Sequence, residues 1–261
     1  MKYVVLLKMV PDVVEELEIG NDGRSLDSGF LRMILSEPCE HALEQALLLK
    51  EKFGGTVTAA AMDAAELDDA LFTGLAKGAD RVVKLTGASE GVGSPAQAKI
   101  LASFLKQEGM AAGGDILVLA GSYAIDDLDG ALGPYVARIL DVPYVGVVTS
   151  VEVDEGAKKV RVMKEFAGGV RGRFEISLPA VLGIQAAESP PRYVPVAKVR
   201  AAMKQGKIEE KGASAPAAES AALVVDKMYK PEETGRAEML EGSPEEVSKR
   251  IVELLAEQGL I

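Results

Sequence analysis

The chain has 261 residues, of which 48% are apolar, and this is enough to bury a full hydrophobic core. A formal net charge of −11, without any Lys/Arg-rich run, argues against nucleic-acid binding. No apolar stretch approaches the ~20 residues of a membrane span, the first strand starts without a signal-peptide pattern, and the single cysteine excludes an intramolecular disulfide. These features predict a cytoplasmic protein.

In its first half the chain predicts strands that alternate with helices. Strands are predicted at 3–7, 56–62, 81–85 and 116–120. Helices are predicted after Ser36-Glu37-Pro38, where Ser36 reads as the N-cap, and at 65–77, 96–106 and from Gly133-Pro134. The last of these helices carries an apolar face of Tyr135, Val136, Ile139 and Leu140. The alternation predicts an α/β fold, a mostly parallel doubly wound sheet with helices on both faces.

After Pro143 the pattern changes. Residues 144–153, 159–166 and 170–177 are β-rich and joined by hairpin turns, which predicts antiparallel strands at the sheet edge, and 179–184 reads as another buried strand. Residues 204–220 read as a linker. A capping box at 243–246 opens a final helix with one apolar face, which must dock on its own domain or on another chain. We therefore divide the chain into a core, 1–190, and an extended C-terminal arm, 191–261.

The stretch 115–140 predicts a ligand crevice. A buried strand ends at Gly121, an acidic turn follows, and a helix opens near Gly133. Open α/β sheets place ligands at the carboxyl ends of their strands, and the free N–H groups of a helix N-terminus attract anions.

Catalytic constellations are scarce in this sequence. It has neither a P-loop nor a Gly-x-Gly-x-x-Gly motif, and no cluster with metal-ligand spacing. Cys39 and His41, two residues apart, point away from each other on a helix, so they read as a partly buried thiol beside a surface imidazole. The carboxylates of Asp126, Asp127 and Asp129 suit turn and N-cap roles. The chain is therefore not expected to be an enzyme by itself.

Five motifs, taken together, carry a resemblance to a known family. They are Lys8-Met9-Val10-Pro11-Asp12, CEHALEQA at 39–46, GLAKGADR at 74–81, GSYAIDD at 121–127, and Pro191-Arg192-Tyr193. In this order and spacing they resemble the β (small) subunit of electron transfer flavoprotein (ETF) across essentially the whole chain. The tail from Met228 to Ala237 further resembles the branch found beside bacterial dehydrogenases.

The resemblance implies an adenine nucleotide α-hydrolase-like fold and a heterodimer with a larger ETF α subunit. That subunit would hold the redox-active FAD, while β would hold a structural AMP and dock on α through its sheet and C-terminal arm. Electrons would pass from an acyl-CoA or other flavin dehydrogenase to the FAD, and onward to a membrane ETF:quinone-type oxidoreductase.

The resemblance also implies a set of AMP-site residues. These are Leu6, Ser36, Pro38, Cys39, Met62, Gly121, Ser122, Ala124, Ile125, Asp126, Asp127, Gly130, Ala131, Leu132 and Gly133. The chain departs from the family at 130–132, where Gly-Ala-Leu replaces the Asn/Ser-Gln-Thr of AMP-binding members, and Asp129 adds a negative charge. Backbone N–H groups would then have to hold the phosphate.

A partner-recognition site is implied at Ala187, Glu188, Ser189, Arg192 and Tyr193. The family loop presents a leucine to the dehydrogenase, whereas this chain has Glu188 at or next to that position. Desolvating an unpaired carboxylate is costly, so either the dehydrogenase offers a basic or polar contact, or the anchor is shifted along the loop. Val13 and Pro38 stand where family members often place aromatic residues close to the flavin.

Alternative functions stay open at this point. A stand-alone adenine-nucleotide-binding domain, regulatory or hydrolytic, would explain the sheet and the crevice but not the C-terminal arm. A purely structural scaffold would differ only in passing no electrons. A flavin-bifurcating ETF is disfavoured because the loop lacks the Asp-Gly-Asp-Thr pattern of that branch.

Overall fold

The computed structural model describes residues 1–27, 29, 31–87, 93–110, 114–127, 129–154, 156, 158–213, 225–231, 235, 237 and 239–261. The strands are β1 Lys2–Leu7, β2 Met9–Pro11, β3 Met33–Leu35, β4 Thr56–Met62, β5 Arg81–Thr86, β6 Ile116–Gly121, β7 Tyr144–Asp154, β8 Lys159–Glu165, β9 Arg171–Ser177, β10 Ala180–Ile184 and β11 Ile208–Gly212. The helices are α1 Glu37–Phe53, α2 Leu67–Lys77, α3 Ser94–Gln107, α4 Leu132–Leu140, α5 Val196–Gln205 and α6 Pro244–Glu257, with a 3-10 turn at Ala167–Gly169.

One nine-stranded sheet organises the fold, in the order β11-β5-β4-β1-β6-β10-β7-β8-β9. Its strands run parallel from β11 to β7, and β8 and β9 add antiparallel strands at one edge. The predicted fold class, a mostly parallel α/β sheet with antiparallel edge strands, is confirmed. A separate pair, β2 and β3, is antiparallel.

Helices cover both faces of the sheet because the central strands are buried on both sides. Tyr3, Val5 and Leu7 of β1 point to the layer that contains α1 and α2. Val4 and Leu6 point to the opposite layer, which contains α3 and α4. Because successive side chains of β1 point to opposite faces of the sheet, its continuous apolar run contributes to two separate hydrophobic cores.

The strand order reverses between β1 and β6. From β1 the chain continues outward through β4 and β5, and it then crosses back to place β6 on the other side of β1. Such a topological switch point opens a crevice at the carboxyl ends of the two strands, which is where open α/β sheets bind ligands. The loop after Gly121, which the sequence predicted to form a crevice, starts at this point, and so does the loop after Leu7.

Two local predictions are wrong. The linker predicted at residues 204–220 is replaced by regular structure in its described part, because α5 continues to Gln205 and Ile208–Gly212 forms the edge strand β11. The remainder of that prediction, residues 214–220, lies outside the described residues. Tyr135 is 42% exposed rather than on the buried face of α4, since Val136 and Ala137 fill that face. Ser36 takes the predicted N-cap position of α1, with Pro38 in the first turn, and its side chain makes no capping hydrogen bond.

The chain divides into two compact units, Met1–Asp226 and Lys227–Ile261. Within the second unit, Ser243 and Glu246 form the predicted capping box at the start of α6. Ile251, Val252 and Leu255 of this helix are exposed.

Candidate nucleotide crevice and docked loop

Two of the sequence motifs meet at the switch-point crevice. The Lys8 ammonium, directly after β1, lies 2.7 Å from a carboxylate oxygen of Asp126, in the loop after β6. The Lys8 side chain is only 15% exposed, so the ion pair joins the two strand ends at the base of the crevice rather than in open solvent. An anionic ligand would therefore find this lysine already neutralised.

The loop after β6 closes on itself through short contacts. Ala124 and Asp127 exchange two backbone hydrogen bonds of 3.1 and 2.9 Å, and the Ser94 hydroxyl at the start of α3 donates to the Asp127 carboxylate at 3.2 Å. Gly130 has a φ of +63°, and a Cβ there would stand 2.0 Å from the Ser122 carbonyl oxygen. Glycine is thus required at position 130, because the loop folds back here against Ser122, where it began.

The side of the crevice is made where β6 meets the first turn of α1. A Cβ on Gly121 would lie 2.9 Å from the Pro38 Cβ and 3.2 Å from the Cys39 sulfur. Pro38 and Cys39 are buried by this close approach, and burial raises the pKa of the Cys39 thiol. A buried, protonated thiol is a poor nucleophile, which agrees with a packing role for Cys39.

The predicted AMP-site residues gather at the carboxyl ends of the adjacent strands β4, β1 and β6. Leu6, Ser36, Pro38, Cys39, Ser122, Ala124 and Gly133 are buried; Met62, Gly121, Asp127, Gly130, Ala131 and Leu132 are partly buried; Ile125 and Asp126 are exposed. The structure thus brings the set together around one crevice. That these residues bind a nucleotide stays a prediction.

The first turn of α4 offers backbone donors. The N–H groups of Leu132 and Gly133 have no acceptor among the described residues, and no side chain caps the helix at Ala131. The Asp127 carboxylate accepts from the Ala131 N–H at a long 3.4 Å. Two donors and the positive end of the helix dipole therefore face the crevice, with one carboxylate beside them.

Tyr144 is a residue of this region that the sequence reasoning missed. Its ring fills a slot between three glycines, since a Cβ on Gly133, Gly146 or Gly183 would come within 2.8, 2.6 or 2.5 Å of a ring or hydroxyl atom. This burial raises the pKa of Tyr144 to about 12, so the phenol stays neutral. The three glycines are far apart in sequence, and no local pattern connects them to the tyrosine.

A second pair of motifs meets where the loop 185–192 docks on α1. The Arg192 guanidinium donates to the Glu44 carboxylate at 2.8 to 3.0 Å and to Glu51 at 2.6 Å. The Glu44 side chain is only 4% exposed, so this ion pair is held away from water. The two carboxylates raise the pKa of Arg192, and Arg192 lowers the pKa of Glu51.

His41, which the sequence placed at the surface, is partly buried and bonded to the same loop. Its Nδ1 accepts the Ala187 N–H at 3.2 Å, and the Gln45 side-chain oxygen accepts the Glu188 N–H at 3.1 Å. The interpretation of a free surface imidazole is therefore wrong. Its sequence neighbour Cys39 lies on the other side of the helix, towards Gly121.

Glu188 folds back on its own chain. One oxygen of its carboxylate accepts the Ser150 hydroxyl at 3.0 Å and the Val151 N–H at 3.4 Å, both from β7. Beside it lies an open pocket of about 320 Å³, lined by Gln45, Leu48, Leu49, Glu51, Lys52, Val151 and Glu188. Ser189 and Tyr193 are exposed, Tyr193 by 84%.

Within the residues that the structure describes, no group of three or more His, Cys, Asp and Glu side chains is placed to hold a metal ion. None of the helices in the same part of the chain combines the length and the apolar character needed to cross a bilayer.

Comparison with known proteins gives one consistent match. The model of the electron transfer flavoprotein domain matches residues 31–216. The ETF beta subunit of Methylophilus methylotrophus is 32% identical over 98% of both chains, and that of Bacillus subtilis is 28% identical over 100% of both. The beta subunit of Clostridium acetobutylicum is 34% identical over 76% of this chain and 74% of its own length.

Proposed function

This chain belongs to the electron transfer flavoprotein family as a beta subunit, and on that basis we propose that it forms a heterodimer with an ETF alpha subunit. In the proposed complex the FAD is held mainly by the alpha subunit. Electrons enter from an acyl-CoA or other flavin dehydrogenase and leave to a membrane ETF:quinone-type oxidoreductase. The FAD supplies all of the redox chemistry, and the residues of this chain supply binding surfaces and electrostatics.

The observation that carries this proposal is the pairing of the family motifs in space. Lys8 with Asp126 closes the strand ends at the switch point, and Glu44 with Arg192 docks the loop on α1. The side chains that would suggest chemistry are thus engaged in holding two surfaces in shape, a crevice and a loop. Such an arrangement suits a scaffold that presents binding sites better than it suits an active site.

For the bound nucleotide we propose AMP in the crevice at β1 and β6. The donors fit a phosphate through backbone alone, because the N–H groups of Leu132 and Gly133 are free within the described chain. Adenine would lie against the strand ends and the first turn of α1, near Ser36 and Gly121. Asp127 and Asp129 stand close to the expected phosphate, so we expect weaker AMP binding than in relatives with side-chain donors at 130–132.

The contribution of this chain to the flavin environment is proposed to be apolar contact. Val13 and Val14, directly after β2, are 56% and 91% exposed, as expected of side chains that a partner subunit covers. Pro38 is buried beside Gly121, so Val13 and Val14 supply most of this contact.

For the electron donor we propose a flavin dehydrogenase with a basic or polar group opposite Glu188. Within the described residues its carboxylate is met by two neutral donors, Ser150 and the Val151 N–H, so its charge is not neutralised. A cation from the partner would complete the pair on the rim of the neighbouring pocket, where the apolar floor of Leu48 and Leu49 suits the stem of a lysine or arginine.

Glu188→Ala tests this proposal, with Glu152→Ala as the control because it removes the same charge from exposed β7. Loss of affinity for the native donor in the first variant only, with a weaker salt dependence, would support the basic contact. An unchanged affinity and transfer rate would count against it.

The complex itself is tested by co-expression with an ETF alpha subunit encoded beside this chain, purification, denaturation and chromatography of the released nucleotides. One FAD with one AMP per heterodimer supports the proposal in full. One FAD without AMP would support the electron-carrier function and refute the AMP site. Two FAD would indicate flavin bifurcation. A chain that forms no complex and carries no flavin refutes the proposal.

A further inference from the structure

A stripe of three hydrogen-bond acceptors on α1 faces the loop 185–192. His41, Glu44 and Gln45 occupy positions i, i+3 and i+4, so they share one face of the helix. Each accepts one backbone N–H from the loop, respectively those of Ala187 at 3.2 Å, Arg192 at 3.0 Å and Glu188 at 3.1 Å. The helix thus binds the backbone of the loop at three points, in addition to the Arg192 side chain that it holds at the end of the loop.

These bonds leave the loop little conformational freedom. At its beginning, the Gln185 N–H donates to the Val148 carbonyl at 2.8 Å, and at its end Arg192 is held by Glu44 and Glu51. Between these ends, His41 and Gln45 accept the backbone N–H groups of the middle of the loop, and the Glu188 carboxylate adds its side-chain contacts with Ser150 and Val151. A surface loop that is ordered before binding loses less conformational entropy when a partner docks on it.

We infer that His41 and Gln45 are positioning residues for electron-donor docking: they hold residues 186–189 in the shape that the donor flavoprotein recognises. This inference rests on the proposed function for the identity of the partner, but the hold on the loop does not. An Nδ1 that accepts the Ala187 N–H requires the tautomer that carries its proton on Nε2.

The geometry separates this role from general support of the fold. The loop would remain attached at both ends without His41 and Gln45, through Val148 and through the buried Glu44–Arg192 pair. His41 and Gln45 instead determine the path of residues 186–189 between those ends, and this segment carries Glu188. Their loss is therefore expected to change docking far more than folding.

The sharpest test compares removal of an acceptor with a variant that keeps it. His41→Leu and Gln45→Met each remove one acceptor, whereas His41→Asn keeps an oxygen near the Nδ1 position. Glu40→Gln serves as the control, since Glu40 lies on the same helix away from the loop. Each variant is purified as the complex with its alpha subunit, and amide hydrogen exchange is followed over residues 185–192.

We expect His41→Leu and Gln45→Met each to speed exchange at 187–188 by roughly five- to tenfold, as for the loss of one hydrogen bond. The KM for the native donor should rise by a similar factor of about five with kcat unchanged, because the loop must be ordered on binding. His41→Asn and Glu40→Gln should behave like the unmodified chain.

The chain has a single histidine, which permits a direct check. With ¹⁵N-histidine in this subunit only, one imidazole is seen in long-range ¹H–¹⁵N correlation, and we expect an unprotonated Nδ1. A protonated Nδ1 overturns the inference. Exchange that is equal in His41→Leu and His41→Asn overturns it too, as does faster exchange with an unchanged donor KM.

A complex that exchanges as expected but accepts electrons from no flavoprotein would refute the proposed function. It would overturn the docking role with it and leave only the hold on the loop.

Discussion

The buried ion pair between Glu44 and Arg192 should be the costliest polar contact to break in this chain. Arg192→Met leaves Glu44, with a side chain only 4% exposed, without its cation. Removing one partner of a buried pair costs about 3–5 kcal/mol. Because Arg192 is itself 29% exposed and water can enter behind it, we expect about 3 kcal/mol, the low end of that range.

Thermal unfolding of the purified heterodimer, followed by circular dichroism, measures this loss. At ~2–4 °C per kcal/mol for a chain of this size, Arg192→Met should lower the midpoint by about 6–12 °C. Glu44→Gln should cost about 2 kcal/mol, since the amide still accepts the Arg192 N–H but places an NH₂ group against the guanidinium.

The double variant Glu44→Gln/Arg192→Met decides whether the pair acts as a unit. We expect it to be less destabilised than the sum of the two single variants, by about 1–2 kcal/mol, because the uncompensated buried charge is gone. Strict additivity, or a midpoint shift of less than 2 °C in Arg192→Met, would refute the assignment of Glu44 as a buried carboxylate that depends on Arg192. Met at 192 keeps the length of the apolar stem, so lost packing is a minor part of the effect.

Two further predictions concern stability. Arg81, 2.8 Å away, lowers the pKa of Glu108 to about 2, so the stability gained from Glu108 is complete above a pH of about 4.5 and is lost as the pH falls towards 2. In denaturant unfolding, Glu108→Gln should cost about 2 kcal/mol at pH 7, discounted from ~3.4 for solvent screening, and almost nothing near pH 2, whereas an equal cost at both pH values would contradict the pair. Gly130→Ala places a Cβ against the Ser122 carbonyl oxygen and should lower the thermal midpoint and the nucleotide content together. Gly168→Ala is the control for backbone strain alone, because φ is +73° there but nothing lies within 4 Å of the added Cβ. An equal loss in both variants would exclude the clash as the cause.

Local patterns predicted elements whose ends are marked in the sequence. The bounds of β4, Thr56–Met62, agree with the sequence prediction residue by residue, because this mostly apolar strand lies between two glycines and an acidic residue. The capping box at Ser243 was equally visible, since both of its partners lie within one turn.

The elements that sequence reasoning missed lack such a pattern. α5 has no buried residue, and β2 and β3 are only three residues long. β11 is a polar edge strand, IEEKG, that sits beside a low-complexity stretch. Its place in the sheet is stabilised by Glu209, which pairs with Arg81 from 128 residues earlier, and no window along the chain contains both partners.

The same limit applies to the candidate site. The crevice could be predicted because a strand, a loop and a helix N-terminus are contiguous in sequence. The docked loop could not, because the contacts of His41, Glu44 and Gln45 with residues 187–192 span more than 140 residues. The charge of Glu188 is visible in the sequence, but the return of its carboxylate to Ser150 is not.

The separation of Glu44 from Arg192 also bears on how the chain is made. The ribosome synthesises α1 early, whereas Arg192, the partner of Glu44, is added 148 positions later. Until that arginine emerges, Glu44 lacks the cation that it pairs with in the finished chain, so α1 is held less firmly, by about the same 3 kcal/mol. A nascent chain interrupted before residue 192 is therefore destabilised at its first helix, far from the break, and quality-control proteases would cleave it in that region.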